Sequence, residues 1–193
     1  MPPSPPPDDA GPVSASQRTP RAAVDRLPAG QRDAADVVAE VLASMEVEFE
    51  RPRPDVFVAV LPGERKLRTT VSLVVGEHSI TVNAFVVRRP DENAEACYRW
   101  LLQHNAKHPG VAFGVDPLGD VYLVAQLPLA AVTAQTLDEL LGRVLDTADT
   151  SFNTLLEMGF ATSIRREWAW RLSRGESLAN LAAFTHLIDD AEA

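Results

Sequence analysis

The sequence has few of the features that mark disulfide-rich, membrane-spanning or nucleic-acid-binding proteins. Cys97 is its only cysteine, so no intramolecular disulfide can form, and a free thiol fits the reducing cytoplasm. No apolar run approaches the ~18 residues that cross a bilayer, and the N-terminus lacks the basic start and apolar core of a signal peptide. The net charge of −9 disfavours nucleic-acid binding, which depends on neutralising phosphates. We therefore expect a cytoplasmic protein that binds neither membranes nor nucleic acid.

The motifs of common enzymes and cofactor sites are absent as well. The chain contains no GxGxxG, GxxxxGK[ST], GxSxG or CxxC pattern. His104 and His108 have the spacing of two zinc ligands on a helix, but the glutamate of the metalloprotease motif is missing and Pro109 follows directly. Cys97 falls on an apolar stripe, which indicates packing rather than a reactive thiol. We expect no catalytic residue, no metal site and no cofactor.

The composition changes along the chain. Residues 1–30 hold eight of the 15 prolines, and no aromatic residue precedes Phe49. Such a segment cannot bury enough apolar surface to offset its ordering entropy. We therefore predict a disordered tail over residues 1–30, one folded domain over residues 31–174 and a helical tail over residues 175–193.

Period-two alternation of β-branched and apolar residues predicts strands. The predicted strands cover residues 56–61, 69–75, 79–87, 111–115 and 121–127. Short connections between the first three, and again between the last two, require antiparallel neighbours, because a parallel pair needs a long crossover. The pattern thus predicts a three-stranded meander and a separate hairpin.

Apolar residues at helical spacing fill the remaining segments. One helix opens at Pro90-Asp91 between the third and fourth strands, with Asp91 as its N-cap. Another precedes the sheet at residues 34–45. A long helix carries an apolar stripe from Leu137 to Leu156 and ends at Gly159, and shorter helices follow at residues 164–172 and 177–188. The predicted fold class is α+β, a five-stranded antiparallel sheet with the N-terminal and the long C-terminal helix on one face.

Three segments resemble a known family. Residues 88–93 (RRPDEN) and residues 151–157 (SFNTLLE) resemble the YbjN-domain family, and residues 165–171 (RREWAWR) resemble its actinobacterial branch. The resemblance covers roughly residues 32–172. It implies a fold similar to the chaperones of type III secretion, a tendency to form homodimers and a role in holding a partner polypeptide. It implies no catalytic residue.

A basic loop and a pair of arginines lie at one predicted end of the sheet. Arg65, Lys66 and Arg68 follow the first strand of the meander, and Arg88 and Arg89 end the third. In a meander these two positions lie at the same end. A cationic rim on an acidic protein can hold an anionic ligand or an acidic peptide, whereas the simpler interpretation is a solvated end.

The segment near the end of the domain is rich in arginine and tryptophan. Trp168 and Trp170 lie about 200° apart around a helix, so they cannot face one packed surface together. Tryptophan and arginine are enriched at protein interfaces. Trp168, Trp170, Arg165, Arg166 and Arg171 are therefore candidate partner-binding residues, and the alternative is that the rings pack on the domain under arginine stems.

These observations favour a non-enzymatic protein-interaction domain that acts as a regulator, an adaptor or a chaperone-like holder of a partner polypeptide. Two alternatives stay open. One is a small-molecule or anionic-ligand binder, or an unrecognised enzyme, that uses the sheet and the basic rim. The other is a structural subunit of a larger assembly. A concave, mostly apolar cavity with a few convergent polar groups would favour the ligand binder.

Overall fold

The computed structural model describes residues 27–189 and has an antiparallel sheet covered by helices. The helices are α1 (Ala29–Ser44), α2 (Ala94–Asn105), α3 (Ala134–Arg174) and α4 (His186–Asp189), and short 3₁₀ segments occupy Leu129–Ala131 and Ala179–Phe184. The strands are β1 (Phe49–Arg53), β2 (Val56–Pro62), β3 (Arg68–Val75), β4 (Ser79–Val87), β5 (Ala112–Val115) and β6 (Val121–Pro128). The predicted α+β class is confirmed. Of the predicted tail, residues 1–26 lie outside the described residues. Its last two residues, Ala29 and Gly30, belong to α1.

The sheet has six strands in the order β1-β2-β3-β4-β6-β5, and the predicted count of five was wrong. The predicted meander is β2-β3-β4 and the predicted hairpin is β5-β6, with β6 paired to β4. The additional strand, β1, has the sequence FERPR and is exposed along its whole length. An edge strand without a buried face shows no apolar alternation, and its proline also disfavours a strand.

One face of the sheet forms the core with the helices. Residues of β2, β3 and β4 alternate between buried and half-buried positions, as expected for a sheet with one packed face. Helices α1 and α3 cover that face and bury their apolar stripes against it. The largest fully buried side chains include Leu42 of α1, Phe57 of β2, Leu73 of β3 and Leu141 of α3.

Helix α3 runs for 41 residues and is interrupted at one position. Phe160 has non-helical backbone angles, φ −143° and ψ 16°. The predicted end of the long helix at Gly159 agrees with this kink, whereas the helical segment after it is longer than the predicted residues 164–172 and runs to Arg174. A Cβ added at Gly159 would lie 3.0 Å from Cβ of Pro90. The glycine is needed for this close approach of the loop that precedes α2.

Candidate functional site

The loop between β4 and α2 clamps the kink of α3. The backbone N–H groups of Asp91 and Glu92 donate to the carbonyl of Gly159 at 2.9 and 3.2 Å. The Glu92 carboxylate accepts from the N–H of Thr162 at 2.7 Å and from its hydroxyl at 2.9 Å. Glu92 thereby acts as an N-cap for the second half of α3, supplied from a distant segment. Helix kinks of this kind arise where another group enters the hydrogen-bond ladder.

An ion pair strengthens the same clamp. The guanidinium of Arg88 donates to both carboxylate oxygens of Asp91, at 2.5 and 2.7 Å, and the hydroxyl of Ser163 donates to Asp91 at 2.8 Å. These bonds from Arg88 and Ser163 lower the pKa of Asp91 from 3.8 to about 2. Asp91, which the sequence indicated as the N-cap of α2, binds α3 instead, while α2 begins after Asn93. The Arg88 guanidinium also lies 4.5 Å above the ring of Phe160.

The basic loop between β2 and β3 docks on the first half of α3. One carboxylate oxygen of Asp149 accepts from the backbone N–H groups of Arg65 and Lys66, at 2.8 and 2.9 Å. A Cβ at Gly63 would lie 2.5 Å from that same oxygen, so the tight approach needs glycine. The docked loop places Lys66 at the same cavity as Arg88. Both lie at the end of the sheet that was expected from the order of the strands.

The five basic rim residues do not form one anion site. Arg65 donates to the carbonyl of Thr150 at 3.2 Å. Arg68 lies 3.7 Å from the carboxylate of Glu48, and the backbone N–H of Arg89 donates to Asp120. Arg88 is paired with Asp91, as described above. Lys66 lines an open cavity and has no acidic partner among residues 27–189.

Lys66 is an unusual lysine because it is only 9% exposed. Its Nζ lies 4.9 Å from the ring centroid of Phe152 on α3 and 5.3 Å from that of Phe85 on β4. Burial lowers the pKa of Lys66 below its usual value, because desolvation disfavours the charged form. The two rings attract the ammonium through their π faces but offer no hydrogen-bond acceptor of carboxylate strength.

Lys66 lies in an open groove between the end of the sheet and the second half of α3. The groove encloses a cavity of about 550 Å³, and a neighbouring cavity of about 620 Å³ shares Lys66, Phe152 and Leu156 with it. Apolar side chains form most of the wall of the first cavity: Phe85, Val86, Val87, Phe152, Leu156, Phe160, Ile164 and Leu181. Polar residues at the same cavity are Lys66, Arg88, Ser163, Arg166 and Glu167. The groove thus joins the predicted basic rim to the predicted arginine–tryptophan segment.

The C-terminal segment, residues 176–189, lies along the outer side of this groove. Phe184 is buried in the core, and Leu181 lines both cavities. Two of the candidate arginines hold the segment: Arg165 donates to the carbonyl of Leu187 at 2.8 Å, and Arg171 donates to that of Ser177 at 3.0 Å. These arginines serve the fold of the chain itself.

The remaining candidate residues face outward from the second half of α3. Trp170 is 44% exposed, and the guanidinium of Arg174 lies 4.9 Å from its ring centroid. Leu172 is 59% exposed, and Trp168 is half-buried outside the core formed within residues 27–189. Arg166 is exposed at the mouth of the groove. We call Arg166, Trp168, Trp170, Leu172 and Arg174 the outer surface of α3. Arg166, Trp170 and Arg174 are four residues apart and share one side of the helix, whereas Trp168 and Leu172 lie on the other side.

Sequence reasoning missed the aromatic surroundings of Lys66 and the clamp formed by Glu92. Phe152 lies on the apolar stripe of α3 and was assigned to the core, and Phe85 and Phe160 showed no distinguishing pattern. One signal was present: Lys66 is one of two lysines beside 16 arginines. Arginine is always charged, whereas lysine tolerates burial by shifting its pKa.

Two further features bear on function. Across residues 27–189, no cluster of three or more histidine, cysteine, aspartate or glutamate residues is arranged to hold a metal ion. His104, one of the two histidines with zinc-ligand spacing, stacks on Trp100 with ring centroids 3.5 Å apart. Packing against Trp100 is thus a structural role for this histidine. Within the same range, no helix combines the length and the apolar composition that a membrane crossing requires.

Comparisons with known proteins identify relatives and similar structures. The profile of the YbjN family, described as "Putative bacterial sensory transduction regulator", matches residues 34–157. An uncharacterized protein of Mycobacterium tuberculosis is 51% identical over 166 residues, which cover 83% of this chain and 88% of that protein. Among solved structures, a chain of the ExsC–ExsE complex is similar with a TM-score of 0.48 and 22% identity, over 64% of this chain and 93% of that one. The complex of the Yersinia pestis type III secretion chaperone SycH with a YscM2 fragment has a chain that is similar with a TM-score of 0.43 and 15% identity, over 61% of this chain and 98% of that one.

Proposed function

The chain belongs to the YbjN family, as its three motifs predicted, and on that premise we propose that it is a regulatory domain that binds a partner polypeptide and does not catalyse a reaction. The family profile carries the description "Putative bacterial sensory transduction regulator", which is compatible with a role in protein contacts. The observation that supports a partner site on this chain is the outer surface of α3. The proposed location is the cytoplasm, where the thiol of Cys97 stays reduced.

The outer surface of α3 has the composition of a protein interface. Trp170 and Leu172 are large apolar side chains exposed to solvent, and arginine guanidinium groups flank them. Aromatic residues and arginine dominate the energetics of interfaces, because they bury much area and still offer directed polar contacts. Arg166 and Arg174 stay exposed in this segment, on a chain whose net charge is −9. Charge complementarity therefore indicates an acidic partner surface with an apolar centre.

The free edges of the sheet are poorly suited to the same task. The outer edge strand β1 contains Pro52, which has no N–H to donate, between Arg51 and Arg53. At the other edge, the side chain of Asn105 accepts from the N–H of Phe113 at 2.6 Å and donates to its carbonyl at 3.2 Å. At Pro52 the N–H that an added strand would use is absent, and at Phe113 both backbone groups are occupied. This favours a contact through side chains of α3 over the addition of a strand.

The proposal is tested by comparing captured partners of matched surface variants. The wild type, the double variant Trp170→Ala/Leu172→Ala and the control Leu102→Ala are each used as bait in the lysate of the source organism, and the captured proteins are quantified by mass spectrometry. Leu102 is an exposed helical leucine on α2, 71% exposed against 59% for Leu172. We expect an acidic protein to be lost from the α3 variant and retained by the control.

When the captured protein is titrated with each purified variant, the wild type and Leu102→Ala should bind it with similar affinity and Trp170→Ala/Leu172→Ala should bind it more weakly. Binding should weaken as the salt concentration rises, because the contact pairs arginines with carboxylates. If the α3 variant captures and binds every protein that the wild type binds, the outer surface of α3 is not the partner site.

A further inference from the structure

We propose that the groove around Lys66 binds a small amphipathic carboxylate, with the carboxylate on the Lys66 ammonium and the apolar body along the aromatic wall. This goes beyond the proposed function, since a small ligand and a partner polypeptide are different molecules. The two sites use the same part of α3, and Arg166 belongs to both, but neither Trp170 nor Leu172 lines the groove.

The first reason is the state of Lys66. The residue is 9% exposed, and within residues 27–189 its Nζ makes no hydrogen bond and has no carboxylate within 4.0 Å. The Nζ atom keeps contact with the open groove, where its three hydrogens can be donated to a ligand. An entering carboxylate would supply both the opposite charge and the acceptors. The lowered pKa of Lys66 has the same physical origin, the loss of water around the ammonium.

The second reason is the shape and lining of the groove. Its cavity of about 550 Å³ lies within the 300–1,000 Å³ typical of small-molecule sites. Phe85, Phe152, Leu156, Phe160 and Ile164 provide a mostly apolar wall. Such sites combine apolar walls with a few polar groups that fix the orientation of the ligand, and Lys66 is that group here.

The apolar lining of the groove favours a ligand with one negative charge over one with several. Arg88, another cation in the wall, already pairs with Asp91. Glu167 lines the same cavity and pairs with Arg171 at 2.7 Å. A polyphosphate would meet Lys66, the exposed Arg166 at the mouth, the Glu167 carboxylate and an apolar wall. An apolar monocarboxylate matches this largely apolar lining better.

The test uses decanoate as the probe and decanol as its uncharged counterpart, each titrated into the full-length protein by calorimetry. The variant Lys66→Met removes the charge and keeps a linear apolar stem. Lys107→Met is the matched control, because Lys107 is the second lysine of the chain and is exposed. We expect decanoate to bind the wild type and the control alike within twofold, and at least tenfold more weakly to Lys66→Met. Decanol should bind the wild type more weakly than decanoate and should not distinguish the variants.

A second variant tests the apolar wall independently of the charge. Leu156→Trp places a larger side chain at a half-buried position in the groove and should abolish binding of both probes, while circular dichroism confirms that the protein is folded. The proposal is overturned if decanoate does not bind the wild type, if Lys66→Met binds it equally well, or if Leu156→Trp leaves binding unchanged. The variant Trp170→Ala/Leu172→Ala should keep its decanoate affinity, so failure of the proposed partner site would not affect this result.

Discussion

Removing the Glu92 carboxylate should destabilise the protein through the kink of α3. Glu92→Ala eliminates two hydrogen bonds to Thr162, at 2.7 and 2.9 Å. Loss of an N-cap typically costs about 0.5–2 kcal/mol, and the two bonds of Glu92 place this case at about 1–2 kcal/mol. For a chain of this size, about 1 kcal/mol lowers the melting temperature by about 2–4 °C. The expected decrease is therefore about 2–8 °C.

The matched control is Glu95→Ala. Glu95 lies three residues further along and is exposed, and it bonds to Arg99 at 2.7 Å on the surface of α2. Exposed pairs of this type contribute about 0.3–0.5 kcal/mol, so the melting temperature should fall by about 2 °C or less. Both variants remove one glutamate, which keeps the change in net charge equal.

A double-mutant cycle tests whether the loss of stability in Glu92→Ala comes from the contact between Glu92 and Thr162. Thr162→Val removes the hydroxyl that donates to Glu92 but keeps the backbone N–H. The coupling energy between the two substitutions should be about 0.5–1 kcal/mol, the contribution of that one hydrogen bond. Equal melting temperatures for Glu92→Ala and Glu95→Ala, together with zero coupling to Thr162, would refute the clamp as a stabilising contact. The decanoate affinity of Glu92→Ala should also fall, because the clamp positions Phe160 and Ile164 in the groove wall.

Four further predictions follow from the fold. The pKa of Asp91 is about 2 in the folded protein and 3.8 in the unfolded chain, so its contribution to stability is present above pH ~4 and is lost as the pH falls towards 2. The difference in melting temperature between the wild type and Asp91→Asn should therefore disappear over that pH range. A difference that stays constant with pH would contradict the ion pair. Leu141 is fully buried, so Leu141→Ala should cost about 2–5 kcal/mol in chemical denaturation, whereas Leu172→Ala should change stability by about 0.5 kcal/mol or less; equal effects would place α3 on the wrong face. If the chain forms a homodimer through the outer surface of α3, the wild type should sediment as a dimer in analytical ultracentrifugation and the variant Trp168→Ala/Trp170→Ala as a monomer. A variant that still sediments as a dimer excludes this surface as the dimer interface. Deleting residues 2–26 should leave the melting temperature within about 2 °C, since the composition of that segment predicts disorder, and a larger fall would mean that it packs on the domain.

The sequence by itself determined the sheet and the helices that cover it. Alternation along β3 and β4, and the apolar stripe of α3, are local patterns with fixed periods, and burial of one face enforces both, while β2 was found as a short apolar run. The placement of the basic loop beside Arg88 also followed from sequence, because a meander returns its strands to the same end. The strand β1 could not be found in this way, since an exposed edge strand is held by backbone pairing and carries no burial pattern.

Tertiary structure alone decided the environment of Lys66 and the role of the β4–α2 loop. The ammonium of Lys66 lies between Phe85 and Phe152, which come from different elements, and no local pattern records which distant rings meet a given charge. In the same way, Glu92 reads as an ordinary acidic residue near the start of α2, yet its carboxylate caps the second half of α3 at Thr162. Local patterns report which face of an element is buried. Which polar groups meet across elements depends on the packing of the whole chain, because hydrogen bonds and ion pairs are directional and act over short distances.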